Sequence, residues 1–183
     1  MEATIKINKS DYSCKKMKEM EGHDGYVIRF DLCYKGKKVA EVYDDGNGGM
    51  VEIAWIYYDN KTESMKEYIK GASKDFDNLI KQMGQWESSF DKSFNDYDDE
   101  IVVMEIYEDA RFSKELKKKL KKTVMAFNGK NELMQWGFKG NPTINQRNID
   151  HIKYKIKDIV GLTLNELPFD MALEAYKKGV SCA

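Results

Sequence analysis

Tyr26-Val27-Ile28-Arg29-Phe30-Asp31-Leu32-Cys33-Tyr34, followed by Lys35-Gly36 and then by Lys38-Val39-Ala40-Glu41-Val42-Tyr43, decides the fold class. Both runs are rich in β-branched and aromatic residues and partly alternate polar with apolar, the period of a strand with one buried face. A short glycine-containing break between two such runs reads as a β-hairpin. Beyond it lies Asp44-Asp45-Gly46-Asn47-Gly48-Gly49, whose glycines and Asn tolerate positive φ. A strand pattern resumes from Val51 to Tyr58, with Ile53, Trp55 and Tyr57 sharing a face. The spacing therefore predicts a three-stranded antiparallel meander.

Upstream, residues 3–8 alternate and suggest a strand, and Ser10 or Asp11 is placed to cap a short helix through Glu21 with Cys14, Met17 and Met20 on one face. Downstream, residues 61–84 fit a helix: Met65, Tyr68, Ile69, Ala72, Phe76, Leu79, Ile80 and Met83 recur at three- and four-residue spacings, with Gly84 as the stop. Residues 85–99 show no period and read as loop. Asp98 or Asp99 caps a helix through about Phe112, and Ser113 caps a second through Lys122. Thr123 to Asn128 and Glu132 to Phe138, around Gly129-Lys130-Asn131, form another hairpin. A helix over Ile144 to Lys157, a short strand over Ile159 to Leu164 and a helix opening at Pro168 complete the chain. The reading is α+β: two antiparallel β-rich lobes, a three-stranded meander and a hairpin, packed with helices. The lobes divide into 1–90 and 91–183, or form one continuous domain.

A chain of 183 residues is long enough to bury a core, and 11 Tyr, 8 Phe and 3 Trp exclude a disordered protein. No stretch reaches the roughly 18 to 20 apolar residues of a membrane span, and the N-terminus lacks the apolar core of a secretory signal. A cytoplasmic protein with no membrane partner is expected. Cys14, Cys33 and Cys182, odd in number and widely spaced, fit neither a disulfide framework nor a zinc site.

Catalytic chemistry is hard to assemble. His23 and His151 lack metal-ligand spacing, and no nucleophile is paired with a base. The glycines at 46–49 are followed by no Gly-Lys-Ser/Thr, and Asp44 and Asp45 would repel a phosphate, so a turn explains them better. The same segment fails the calcium-loop pattern. Asp96, Asp98, Asp99 and Glu100 are hard oxygen ligands, which keeps a metal-dependent nuclease as a third reading. No cofactor, no metal and no enzymatic activity are expected.

Charge is the informative feature. The net charge of −1 conceals two adjacent blocks of opposite sign. From Glu87 to Asp109, nine acids stand against Lys92, a net −8. From Ala110 to Lys130, eight cations stand against Glu115, a net +7. Carboxylates spaced along a strand or helix can imitate a polyanion and occupy a protein groove built for phosphates. On this reading Asp91, Asp96, Asp98, Asp99, Glu100, Glu105, Glu108 and Asp109 form a partner-binding surface, with Asp44, Asp45 and exposed aromatics as secondary contacts. The alternative is a nucleic-acid-binding regulator that sets Lys117, Lys118, Lys121 and Lys122 on phosphates.

The run Lys35-Gly36-Lys37-Lys38 through Asp44-Asp45-Gly46-Asn47-Gly48-Gly49 resembles small accessory proteins of phages and mobile elements. The ending Leu164-Asn165-Glu166-Leu167-Pro168-Phe169-Asp170-Met171-Ala172-Leu173 is similar to the closing helix of that group. Within it, size and the acidic block resemble a type II anti-CRISPR inhibitor. That resemblance implies a non-enzymatic protein in a host bacterial cell. It would bind a CRISPR effector nuclease with its guide RNA and block target recognition or cleavage. It carries over no functional residues.

Overall fold

The computed structural model describes residues 8–23, 25–57, 62–88, 92–140 and 142–181. The chain divides into two compact units, Met1–Glu108 and Asp109–Ala183. The fold is α+β with antiparallel sheets. Among the described residues no helix is long and apolar enough to cross a membrane.

The first unit is built on a four-stranded antiparallel meander in the order β1 (Tyr12–Glu21), β2 (Tyr26–Tyr34), β3 (Lys37–Asp44), β4 (Glu52–Trp55). Lys35 and Gly36, both at positive φ (45° and 81°), turn β2 into β3, a geometry that matches the right-handed twist of the flanking strands. Where a helix over Ser10–Glu21 is expected, the structure has β1, a fourth strand. The cause is a bulge: Lys15 pairs with Asp31 and Lys18 with Arg29, three steps on β1 against two on β2, with Lys16 at φ 52°. The extra residue lets Cys14 and Met17, three apart, both pack on the core, which imitates a helical spacing. Of the strand suggested over residues 3–8, residues 3–7 lie outside the described residues. β4 is shorter than Val51–Tyr58: Ile53 and Trp55 pack inward, whereas Tyr57 lies past the strand end and is 57% exposed. Tyr58 lies outside the described residues.

Helix α1 (Glu63–Met83) starts at the Thr62 cap, stops at Gly84 and lays Ile69, Ala72, Phe76 and Leu79 into the core with Phe30, Leu32, Val39 and Val42. Tyrosines stitch it to the sheet. Tyr12 Oη donates to Ala72 O (2.7 Å), Tyr34 Oη to Asp75 Oδ2 (2.6 Å) and Tyr68 Oη to Tyr34 O (2.6 Å). Each of these three hydroxyls, buried or half-buried, thus has an acceptor, the condition for placing a polar group in a core. Residues 85–99, expected as loop, hold a small ladder of β5 (Gln85–Glu87) and β6 (Phe94–Asp96). Three residues per strand are too few to leave a period in the sequence.

Helix α2 (Asp99–Leu120) replaces the two expected helices. It is continuous through Ser113 and crosses the division between the units. Its first half buries Val102, Val103, Ile106 and Tyr107 in the first core, and its second half buries Leu116, with Phe112 and Leu120 half-buried, in the second. No three- or four-residue step links Ile106 to Phe112, so the sequence reads as two stripes and hence as two helices.

In the second unit, β7 (Thr123–Phe127) pairs with β8 (Leu133–Gly137), and Val124, Met125 and Ala126 are all buried because both faces of the strand are covered. Met125 packs with Leu116, Leu164, Ala172 and Tyr176, while Val124 packs with Ile149 and Ile152 of α3 (Gln146–Lys155). The expected strand over Ile159–Leu164 reduces to one bridge, Asn128 to Ile159, because the chain then turns into the Thr163–Glu166 turn. There Glu166 accepts from both Thr163 N (2.9 Å) and Thr163 Oγ1 (3.0 Å) and is paired with Lys153. Asn165 donates to Leu120 O and Thr123 O (both 3.0 Å) and accepts from Met125 N (2.9 Å). Helix α4 (Phe169–Ser181) closes the chain. The Leu164–Leu173 stretch is thus a clamp that fixes the end of α2 against β7.

Candidate functional site

The acidic block is not one surface. Asp96 at the end of β6, Asp98 just before α2, Asp99 in its first turn and Glu108 midway along it are exposed, and Glu100 is half-buried. Asp98 caps α2, its Oδ1 accepting from Ile101 N at 2.8 Å, and Asp99 Oδ1 accepts from Glu100 N at 3.0 Å. Negative side chains are favoured at this end of a helix, where four N–H groups lack intrahelical partners. Glu105 is spent on Lys9 (2.9 Å), and Asp109, in the second unit, is paired with Lys177. Asp91 lies outside the described residues.

Asp44 and Asp45 form side-chain turns in the β3–β4 connection, accepting from Gly46 N (2.8 Å) and Asn47 N (3.0 Å). Exposed aromatics of the first unit include Tyr26, Tyr43 and Phe94. Among the described residues no group of three or more His, Cys, Asp or Glu is placed to hold a metal ion, so Asp96 to Glu100 do not gather into a centre. His151 is exposed, its ring beside Phe138.

The basic block behaves differently. On the second half of α2, Arg111, Lys114, Lys117 and Lys118 are exposed at three- and four-residue spacings, which puts them on one helical face, and Lys121 and Lys122 are exposed in the turn just past the helix end. Among the described residues, Lys114, Lys117, Lys118 and Lys121 form no ion pair. Several acids of this unit are engaged elsewhere. Asp109 pairs with Lys177 and Glu166 with Lys153, while Glu115 pairs with Lys119, which also donates to the buried Tyr176 hydroxyl (2.8 Å). The Lys119 ammonium holds the Glu115 carboxyl below its usual range, and burial pushes the Tyr176 hydroxyl up. The second unit carries 15 Lys and Arg against eight Asp and Glu, a net +7, whereas the first carries 15 against 23, a net −8.

Lys117, Lys118 and Lys121 therefore lie close together with no acid paired to them among the described residues. Sequence reasoning left out Arg111 and Lys114. They stand on the same face, and the signal was present in their spacing, but the helix break expected at Ser113 set Arg111 apart from the lysines.

A family model described as "Conserved hypothetical protein (DUF2461)" matches residues 59–140, less than half of the chain. No curated protein matches the chain. No solved structure matches it.

Proposed function

We propose that this protein works by binding rather than by turnover, and that the basic face of α2 in the second unit contacts the phosphate backbone of a nucleic acid. One observation carries the reading: Lys114, Lys117 and Lys118 are exposed on one helical face and Lys121 just past its end, with no acid paired to them among the described residues, in a unit of net charge +7. At a rise of about 1.5 Å per residue, Arg111 to Lys121 spans about 15 Å, enough for roughly four phosphates of one strand. Releasing about four counterions gives a slope of about −3.6 in log affinity against log salt, or about a 100-fold loss between about 50 and 200 mM. Fluorescence anisotropy of the purified chain with a labelled duplex tests this. Lys118→Glu with Lys121→Glu should weaken binding by more than about tenfold and flatten the slope by about 2. Absence of binding at low salt, or binding indifferent to both salt and these changes, defeats the proposal.

A second reading, supported by the exposure of Asp96, Asp99 and Glu108, has the first unit imitate a polyanion and inhibit a phosphate-binding protein such as a type II CRISPR nuclease. Asp96→Lys, Asp99→Lys, Glu100→Lys and Glu108→Lys together leave the Asp98 cap and the Glu105–Lys9 pair in place. If this reading holds, that variant loses inhibition of guide-loaded nuclease while keeping its circular dichroism spectrum. Inhibition unchanged in the variant removes the acidic surface from the mechanism.

A further inference from the structure

We infer, resting on the nucleic-acid reading above, that the second unit takes double-stranded nucleic acid by its backbone alone, without regard to sequence and in preference to single strands. Single-strand binders hold their ligand by stacking bases on open aromatic faces set among the cations. In this unit three aromatic rings beside the basic residues already have a cation over them, and Trp136 and Phe138 are half-buried in the packing around Val124 and Ile149. The Arg111 guanidinium lies 4.9 Å from the Phe112 ring centre, Lys117 Nζ 4.9 Å from Phe169, and Lys119 Nζ 5.2 Å from Tyr176. Phe112 and Phe169 are half-buried and Tyr176 is buried, so the covered faces are not replaced by free ones. Among the described residues of the unit, Tyr154 is the one exposed Phe, Tyr or Trp, at 76%, and Lys157 Nζ stands 4.9 Å over it, while the exposed His151 ring lies against Phe138.

Base-edge reading is likewise poorly served. It relies on forked or amide side chains held in a groove, and the face and its end carry four lysines, which act as point charges, with one arginine engaged on Phe112. What remains is a row of cations at phosphate-like intervals. A duplex, with charge from both strands on the same length of axis, offers that row the denser target. DNA and RNA duplexes share this chemistry.

The test uses the full chain at one low salt concentration with four labelled probes of about 20 nucleotides or base pairs: two DNA duplexes of unrelated sequence, an RNA duplex and oligothymidylate. The expected result is affinity within about twofold between the two DNA duplexes and at least about tenfold weaker for oligothymidylate, with Tyr154→Ala unchanged on every probe. Whichever duplex, DNA or RNA, binds more tightly names the source, and either supports the inference. Oligothymidylate binding as tight as duplex, and weakened about fivefold or more by Tyr154→Ala, overturns the inference while leaving nucleic-acid contact standing. A preference of more than about tenfold between the two DNA duplexes also overturns it. Failure to bind any probe removes the nucleic-acid reading itself.

Discussion

Replacing Asn165 by alanine should weaken the second unit more than any surface change near it. Its side chain fills three hydrogen-bonding roles: the amide NH2 donates to Leu120 O, the last residue of α2, and to Thr123 O, the first residue of β7, while its Oδ1 accepts from Met125 N. Met125 is 1% exposed, so its N–H loses its partner with no water to replace it, at about 1–3 kcal/mol. Leu120 and Thr123 are half-buried, and their carbonyls can be rehydrated at a further cost of about 0.5–1 kcal/mol. The total is about 1.5–4 kcal/mol, a fall in Tm of roughly 3–16 °C for a chain of this size. Urea titration followed by far-ultraviolet circular dichroism and tryptophan fluorescence measures it; Trp136 reports the second unit and Trp55 and Trp86 the first. Asn165→Asp is the sharper control. It keeps an acceptor for Met125 N but sets a carboxylate against two carbonyl oxygens, and should destabilise at neutral pH at least as much. An alanine variant within about 1 kcal/mol of the parent at unchanged m, or an Asp variant that matches the parent, would refute the clamp.

Three more outcomes are expected. Gly46→Ala should cost about 3 kcal/mol and Gly48→Ala about 1 kcal/mol in the same titration. Both glycines have positive φ (69° and 74°), but a Cβ on Gly46 would lie 2.8 Å from the Tyr26 carbonyl, whereas one on Gly48 meets nothing within 4 Å. Burial disfavours the charge of Glu166, yet the Thr163 N–H and hydroxyl and the Lys153 ammonium outweigh it and hold the carboxyl below its usual value of 4.5. Its contribution to stability is therefore complete above the unfolded value and fades as pH falls through the lower folded one. The Tm difference between Glu166→Gln and the parent should stay constant above about pH 5 and shrink below 4.5; a constant difference down to pH 3 contradicts the assignment. Tyr34→Phe removes the hydroxyl that bonds Asp75 and should lower stability by about 1–2 kcal/mol, checked by urea titration at neutral pH.

Much of the backbone was legible because local signals agreed with one another. The β2–β3 hairpin followed from alternation on either side of Lys35-Gly36, α1 from its stripe and Gly84, the β7–β8 hairpin from its flanking runs, and α4 from Pro168. The misreadings share one physical origin, a spacing produced by a contact distant in sequence. A bulge against β2 gave Cys14 and Met17 a helical interval inside a strand, and two cores gave α2 two stripes.

By itself the sequence determined the fold class, most element positions and the adjacent blocks of opposite charge, because these depend on residues within a few positions of one another. Only the tertiary structure decided which charges face solvent unpaired. Lys9 reaches Glu105 across 96 residues and Lys177 reaches Asp109 across 68, while among the described residues Lys114, Lys117, Lys118 and Lys121 are left without an acid partner. Charge pairing acts through space at a few ångströms, and the distance between two side chains is set by packing, which no local pattern encodes.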